Sequence, residues 1–442
     1  MNYNRFVIAI VTTLSVLTVN AKENNRACPQ AVPLFIEGRA ECSEAEGVTS
    51  EARSLLSTIE SNNTTLIALR NEAEARKLDN RTGITLADPE VGLKRMWEGA
   101  EETGKLTEFT VSQSFDLATV TGQRSRVARQ QNTLIDEEYR IARMEILLEA
   151  QLALIDFAYY NALMAELDRR LVHAHRVVEV EKARFDNGDT DVLSYNNVLL
   201  SLSALEAEKA RVVMESDVLM AQLTALNGGK PLSELDINSV EVASLGSADE
   251  HQPDGNSQCS ILDSQLDFAS WYAVAEPYLP QLAQVRQLHE VRRSELALAK
   301  TEHLPSLSAA YINECHTIGT RSQGVAVGMS LPLWSNKNRV RSARTALEAA
   351  EAQQADTELR LRSEYAQEYA RVKGLHHTAT LYRRAFNEAN NTELLERAMD
   401  EGFISVLEYL QGIELYYDYL DRSLAAERDY RRAAAELEAW RL

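Results

Sequence analysis

Residues 123–185 read QRSRVARQQNTLIDEEYRIARMEILLEAQLALIDFAYYNALMAELDRRLVHAHRVVEVEKARF and contain neither glycine nor proline. This composition predicts one unbroken helix of roughly 95 Å at about 1.5 Å per residue, far longer than a globular domain is wide. Its central part is apolar over a wide arc, so we expect neighbouring helices on more than one side. Periodic helices of this length favour coiled-coil packing.

A glycine-centred turn follows this helix and leads into a second long helix. The turn contains Asp186, Gly188, Asp189 and Asp191, and the next helix begins at the Val192-Leu193 pair. Glycine suits the positive φ that ends a helix, and aspartate suits the position that caps the next one.

The same order of features occurs a second time. Asp186 and Asp400 each open a turn and are 214 positions apart, whereas Ser114 and Ser330, which precede the long helices, are 216 positions apart. An ordered series at nearly one offset indicates an internal duplication. The second turn contains Asp400, Glu401 and Gly402, followed by Ser405 as its cap.

The duplication divides the chain into five parts. We expect a signal peptide at 1–21, an N-terminal segment at 22–48, a first repeat at 49–226, a turn-rich linker at 227–261 and a second repeat at 262–442. Each repeat is predicted to contain a helix, two strands, a long helix and a returning helix. The first helices are expected at 50–77 and 264–301, and the second long helix at 337–399, broken only by Gly374.

Residues 1–21 are typical of a secretory signal. One positive charge at Arg5 precedes the apolar stretch Phe6 to Val19, and Ala21 ends a small-residue cleavage site. Beyond it no apolar run is long enough for a membrane helix. If the chain crosses a membrane, it must therefore do so as a β-barrel.

Four segments of about ten residues alternate apolar and polar side chains with the period of a strand. That length suits a tilted membrane strand, and we predict that their apolar residues face lipid: Val91, Leu93, Trp97, Phe109, Val111, Phe115, Leu117, Leu307, Tyr311, Val325, Val327, Met329 and Leu331. The alternative is a small amphipathic sheet in a soluble domain. Four strands cannot close a barrel, so the membrane interpretation requires several copies, and a cyclic trimer would supply twelve strands.

Composition and charge exclude several classes. The net charge of −20 argues against nucleic acid as a partner and suits a cationic cargo or a basic partner. The sequence contains no phosphate-binding loop, nucleophile motif or paired catalytic carboxylates, so we predict no enzyme activity and no cofactor. His173 and His175 lie two apart on a helix and point in different directions, so no metal site is predicted.

Four cysteines occur in this exported chain: Cys28, Cys42, Cys259 and Cys315. An even number permits disulfides. Cys28 and Cys42 are close enough in sequence to close a small loop, and a Cys259–Cys315 pair is the weaker expectation.

The duplicated order of these features resembles the TolC-like outer-membrane efflux proteins over nearly the whole mature chain. The family's turn pattern resembles Gly188 to Leu193 and Gly402 to Leu407, and its strand entry resembles Leu304 to Ser308. The segment Glu108 to Phe115 is similar to the branch that serves heavy-metal pumps, although residues 118–122 depart from the usual pattern.

The resemblance implies a mainly α fold with a small β part: duplicated long coiled-coil helices and four membrane strands per protomer. It further implies a homotrimer with a twelve-stranded β-barrel in outer-membrane lipid and an α-helical periplasmic tunnel. The partners would be a periplasmic adaptor (membrane fusion) protein and an inner-membrane efflux pump, which supplies the energy for a passive exit duct. Cargo classes that fit are metal cations and drugs.

The two glycine turns would then form the periplasmic tips, where a closed entrance and an adaptor contact are expected. In a trimer their acidic residues would form rings that attract cations: Asp186, Asp189, Asp191, Asp400 and Glu401. The plainer interpretation is a solvated acidic helix end. The competing function is a soluble periplasmic or surface coiled-coil structural protein, which explains the helices but not the recurring strand pairs.

Overall fold

The computed structural model describes residues 50–82, 84–85, 87–96, 106–232, 267–316, 321–331, 337–388 and 392–442. Several expectations lie outside them: the signal peptide, the segment 22–48, most of the linker, and the residues Cys28, Cys42, Cys259 and Trp97. Cys315 is described, and it is a free, exposed thiol.

The first half of the described chain contains helices, then two strands, then two long helices. The helices are α1 (Ser50–Asn62), α2 (Thr64–Thr82), α3 (Ala118–Asp186) and α4 (Val192–Leu226). The strands, which lie between α2 and α3, are β1 (Glu90–Met96) and β2 (Leu106–Phe115).

The second half repeats this order. Its helices are α5 (Phe268–Ala275), α6 (Pro280–Thr301), α7 (Lys337–Glu388), α8 (Thr392–Asp400) and α9 (Val406–Leu437). Its strands, between α6 and α7, are β3 (Ser306–His316) and β4 (Arg321–Ser330), and short 3-10 turns occupy Glu276–Tyr278 and Ala439–Arg441. The duplicated arrangement of long helices and strand pairs predicted from the sequence is confirmed.

Helix α3 is longer than predicted. It spans 69 residues, or about 104 Å, and begins at Ala118 rather than at residue 123. The expected start at residue 123 is therefore wrong, and Gly122 lies inside the helix. Burial of Val120, which is 6% exposed, offsets the roughly 1 kcal/mol that a helical glycine costs.

The predicted helix at 50–77 is two helices, α1 and α2, divided at Asn63. The side chain of Asn63 accepts a hydrogen bond from the Leu66 amide at 2.9 Å and thereby caps α2. Its amide group donates to the carbonyl of Leu226 at 2.8 Å. An asparagine in the middle of a helical pattern thus marks a helix boundary because both ends of its side chain are used.

The second half also differs from its predicted boundaries. The expected helix at 264–301 is divided before α6, where Pro280 occupies the first helical turn. Gly374 does not break α7, which is continuous across it, and the division falls instead between α7 and α8. A lone glycine lowers helix stability without ending a helix that is held by packing.

Helix α3 packs against helices on several of its sides, as its wide apolar arc predicts. It contacts α4, α6, α2 and α9. Near its middle, Ala150, Leu154 and Phe157 pack with Ile59 of α1 and with Leu223 of α4. In the second half, α5, α6, α7 and α9 enclose a separate cluster around Trp271 and Tyr272. No helix in the described residues is both long and apolar enough to cross a membrane.

A buried arginine links the two halves. The guanidinium of Arg170 on α3 donates to both carboxylate oxygens of Asp421 on α9, at 2.9 and 2.6 Å, and lies 4.3 Å from the ring centre of Tyr417. Glu166 accepts a further hydrogen bond at 3.3 Å. Only 3% of the Arg170 side chain is exposed, so its charge depends on these partners.

We expect Asp421→Asn to lower the free energy of unfolding by about 2 kcal/mol, because it leaves a buried guanidinium without its principal counter-charge. The figure allows for the partial exposure of Asp421. Asp418→Asn on the same helix is the matched control, since Asp418 pairs with the exposed Arg422, and it should cost less than about 0.5 kcal/mol. Denaturant unfolding followed by circular dichroism measures both, and equal effects would contradict the assignment.

Candidate functional site

The first glycine turn connects α3 to α4. Gly188 has φ +80°, its amide donates to the carbonyl of Phe185 at 3.0 Å, and the Asp189 amide donates to that of Arg184 at 2.8 Å. These bonds satisfy carbonyls at the end of α3. Asp191 then caps α4, because its carboxylate accepts a hydrogen bond from the Ser194 amide at 2.7 Å.

The second turn connects α8 to α9 with the same design. Gly402 has φ +77°, and its amide donates to the carbonyl of Met399 at 3.0 Å. The Ser405 hydroxyl oxygen accepts a hydrogen bond from the Glu408 amide at 3.2 Å, and the Glu408 carboxylate accepts one from the Ser405 amide at 2.8 Å. This reciprocal capping box fixes the start of α9.

One apolar cluster joins the helices next to both turns. Val177 of α3 and Val198 of α4 pack with Tyr409 and Ile413 of α9, and Leu395 of α8 covers the cluster. The two turns therefore lie at the same end of the helical body. The structure thus brings together the two groups of tip residues that the sequence places 214 positions apart.

The acidic residues of the turns whose side chains the structure describes are exposed. Asp186, Asp189, Asp191 and Glu401 all point into solvent, while the side chain of Asp400 lies outside the described residues. Beneath them Glu181, which is 1% exposed, accepts hydrogen bonds from Thr190 at 2.6 Å and Arg184 at 3.2 Å. This buried carboxylate holds the loop of the first turn against α3.

Exposed apolar side chains lie next to the acidic ones. The exposed fractions are 55% for Val192, 68% for Leu193 and 78% for Phe403. The sequence pattern marked the Val-Leu pair only as part of a turn and missed Phe403. The sequence gives no signal for this exposure, because an apolar residue after a helix-ending glycine often packs back onto that helix.

His173 has a packing role that its sequence spacing did not reveal. Its Nε2 lies 2.6 Å from a carboxylate oxygen of Glu396 on α8 and 2.9 Å from the hydroxyl of the fully buried Tyr409. Its ring also stacks on that of Tyr409. His173 therefore joins α3 to α8 and α9 just behind the turns. In the described residues no group of three or more potential metal ligands occurs.

The four strands form one antiparallel sheet in the order β1-β2-β3-β4 at the other end of α3 and α7. The register places the predicted apolar residues on one face, where Val91, Val111, Tyr311 and Val325 form one cross-strand row. Val325 is 84% and Val327 is 82% exposed. The opposite face carries small and polar side chains, among them Thr110, Ser112, Ser308, Ala326 and Gly328.

Most of the remaining strand candidates share this face, and the exceptions lie at its ends. Leu93, Phe109, Phe115, Leu307 and Met329 all lie on it. Leu117 is not a strand residue, because it is the extended N-cap of α3, and Leu331 lies one position beyond β4. Both predictions extended the alternating pattern past the point where the chain leaves the sheet.

Several solved structures share this fold. A membrane protein from Pseudomonas aeruginosa is 17% identical, with a TM-score of 0.70 over 89% of this chain and 90% of that one. The CmeC outer membrane channel of Campylobacter jejuni is 12% identical, with a TM-score of 0.69 over 88% and 85%. The open MtrE outer membrane channel of Neisseria gonorrhoeae is 13% identical, with a TM-score of 0.67 over 88% and 88%.

This chain therefore shares its fold with outer membrane channels. Residues 274–440 match the family described as outer membrane efflux protein, and the match lies within the second repeat. The resemblance of the sequence to the TolC-like outer-membrane efflux family is confirmed by this match together with the fold of the whole chain. No curated protein sequence matches the chain.

We expect Gly188→Ala and Gly402→Ala each to lower the free energy of unfolding by about 1–2 kcal/mol, because an L side chain is strained at these positive φ angles. Gly374→Ala is the control. It lies inside α7 with no atom within 4 Å of an added Cβ, so it should raise stability by about 0.5–1 kcal/mol. Denaturant unfolding of the three variants measures the change in the free energy of unfolding, which should be negative at Gly188 and Gly402 and positive at Gly374. A change of the same sign in all three variants would refute the assignment.

The carboxylates that cap α4 and α9 make their first turns sensitive to acid. The pKa of Asp191 is lowered by hydrogen bonds from the amide and then the hydroxyl of Ser194, and that of Glu408 likewise by Ser405. Because both folded-state pKa values are lowered, the stabilisation is complete above the unfolded-state pKa values of these groups. The stabilisation is lost as the pH falls through the pKa values that these carboxylates have in the folded state.

We therefore expect hydrogen-exchange protection at the Ser194 amide, corrected for intrinsic exchange rates, to fall between neutral pH and about pH 3. Asp191→Asn keeps a capping acceptor but does not titrate. Protection at Ser194 should then stay constant with pH. A pH-dependent loss of the same size in this variant would assign the effect to another group.

Proposed function

We propose that this chain is the outer-membrane channel of a tripartite efflux system and works as a passive exit duct, not as an enzyme. The observation that carries the proposal is the sheet. Its apolar face is exposed, and its outer strands β1 and β4 each pair on one side only within the described residues. Unpaired strand edges are not tolerated in lipid, so further copies must pair with them.

Three copies would supply the twelve strands of a closed barrel, with Val325 and Val327 toward lipid and the polar face, including Thr110, toward the lumen. A homotrimer also suits the family match and the fold of the channels that resemble this chain. Alternation of lipid-facing and lumen-facing residues is the rule in such barrels. The five-part division of the chain would then give each protomer two equivalent strand pairs.

The long helices would form the periplasmic tunnel below this barrel. At about 104 Å, α3 is long enough to reach far into the periplasm. The tips would contact a periplasmic adaptor, with the exposed Leu193 and Phe403 as apolar contacts. The acidic residues of both turns would surround the entrance and attract cations. The pump in the inner membrane would supply the energy.

Two cargo classes, metal cations and drugs, suit such a duct. The net charge of −20 and the acidic tips favour passage of cations. A duct needs no ligand site for its cargo, because it only has to let the cargo pass. Selection among cargoes would then belong to the pump.

Cell fractionation followed by native mass spectrometry and negative-stain microscopy of the detergent-extracted protein tests the proposal. We expect extraction from the outer membrane to require detergent, a trimeric mass, and particles longer than about 100 Å. A soluble monomer or dimer that needs no detergent would refute the channel. It would favour the alternative, a soluble periplasmic or surface coiled-coil protein.

A further inference from the structure

Helices α2 and α3 run antiparallel and are joined by charge pairs at successive levels. Arg76 on α2 lies 2.8 Å from Glu138 on α3, and Lys77 lies 2.5 Å from Asp136. One step closer to the sheet, the side-chain Nδ2 of Asn80 donates a hydrogen bond to the side-chain Oδ1 of Asn132 at 2.9 Å. At each level a donor on α2 thus meets an acceptor on α3.

The pattern changes at the next level toward the sheet, where a cavity of about 360 Å³ opens between the two helices. Its lining contains two guanidinium groups, three hydroxyl or amide side chains and two apolar ones: Arg81, Arg129, Thr85, Ser125, Asn132, Ile84 and Ala128. Among the described residues no carboxylate lines this cavity. Two like charges therefore share one site without an acidic partner, which favours an anion between them.

Neither arginine is neutralised elsewhere in the described part of the chain. Both side chains are exposed, neither forms an ion pair within 4 Å in the described residues, and Arg129 donates from Nε to the Ser125 carbonyl at 3.3 Å. The oxygen of the Asn132 amide accepts from Asn80, which leaves its NH₂ group as a donor. Arginine forks with added hydroxyl and amide donors are suited to phosphate.

The second half provides an internal comparison. Near the sheet, at the start of α7, Arg339 lies 3.0 Å from the carboxylate of Glu302, just after α6. The arginine at this helix junction therefore already has an acidic partner. Arg124, which occupies the equivalent position in the first repeat, likewise pairs with Asp116, so both of these arginines are neutralised within the chain, in contrast to Arg81 and Arg129.

The cavity lies close to the strands. Ser125 and Arg129 lie seven and eleven residues into α3, so about 10 and 16 Å separate them from the first residue of that helix, and β2 ends at Phe115. The head-group layer is about 5–8 Å thick on each side of the hydrocarbon. Long arginine side chains extend toward such a layer while their helix stays below it.

We propose that this cavity binds a phosphate group presented by a phospholipid head group of the periplasmic leaflet. The inference rests on the proposed membrane location of the sheet, and it assigns Arg81 and Arg129 as the phosphate ligands. A bound lipid would hold the base of the helical body at a fixed height below the membrane, because the arginines belong to the two helices that join the first strand pair.

The test uses the detergent-extracted full chain, titrated separately with dioctanoyl phosphatidylglycerol and with inorganic phosphate, and read by native mass spectrometry. We expect saturable binding of one lipid per chain. The Arg81→Gln/Arg129→Gln double variant should bind at least tenfold more weakly, because two charge-assisted contacts are lost. Arg339→Gln is the matched control and should stay within twofold of the wild type.

Three results would overturn the proposal. In the first, the wild type binds no lipid. In the second, the double variant and the Arg339→Gln control lose lipid affinity equally. In the third, inorganic phosphate binds with similar affinity and displaces the lipid completely, which would indicate a site for free anions. A further pattern has its own meaning: the wild type binds no lipid, and the double variant dissociates into monomers. In that case the two arginines would pair with a carboxylate of a second copy of the chain.

A conservative double variant, Arg81→Lys/Arg129→Lys, keeps the charge but not the bidentate geometry. It should bind lipid with an affinity between those of the wild type and the glutamine variant. This outcome keeps the test valid should the glutamine variant fail to fold. Cell fractionation tests the membrane location independently, so failure of the channel proposal and failure of lipid binding give different results.

Discussion

Helix α3 depends on burial along several of its sides. A helix of 69 residues with apolar side chains over a wide arc would aggregate if it stood alone in water. Contacts with α2, α4, α6 and α9 cover different stretches of it. The remaining helices therefore pack around α3. The need to bury α3 explains why helices from both halves of the chain contact this one helix.

Buried polar groups determine how the helices align along their length. Arg170 pairs with Asp421 across the two halves, and Glu181 holds the loop of the first turn. Apolar cores tolerate sliding of one helix past another, whereas a buried charge has few acceptable partners. The Arg170–Asp421 pair therefore fixes the relative height of α3 and α9, and with it the common level of the two glycine turns.

The sheet has the opposite property, since it is incomplete in a single chain. Its apolar face is exposed, and its outer strands β1 and β4 each pair on one side only within the described residues. The helical part of the chain buries its own core, while in the proposed channel the strands would need other copies to satisfy their backbone. This division explains why one chain shows a well-packed helical body beside a sheet with exposed Val325 and Val327.

The order of elements followed from the sequence alone, because each depends on local chemistry. Helix length followed from the absence of glycine and proline, strand faces from alternation with period two, and the turns from Gly188 and Gly402. Boundaries at Asn63, Leu117 and Ala118 did not follow, since packing decided whether a helix ended or continued there. The roles of His173, Phe403, Arg81 and Arg129 required the tertiary structure. Their chemistry depends on partners that are distant in the chain, or on the absence of such partners.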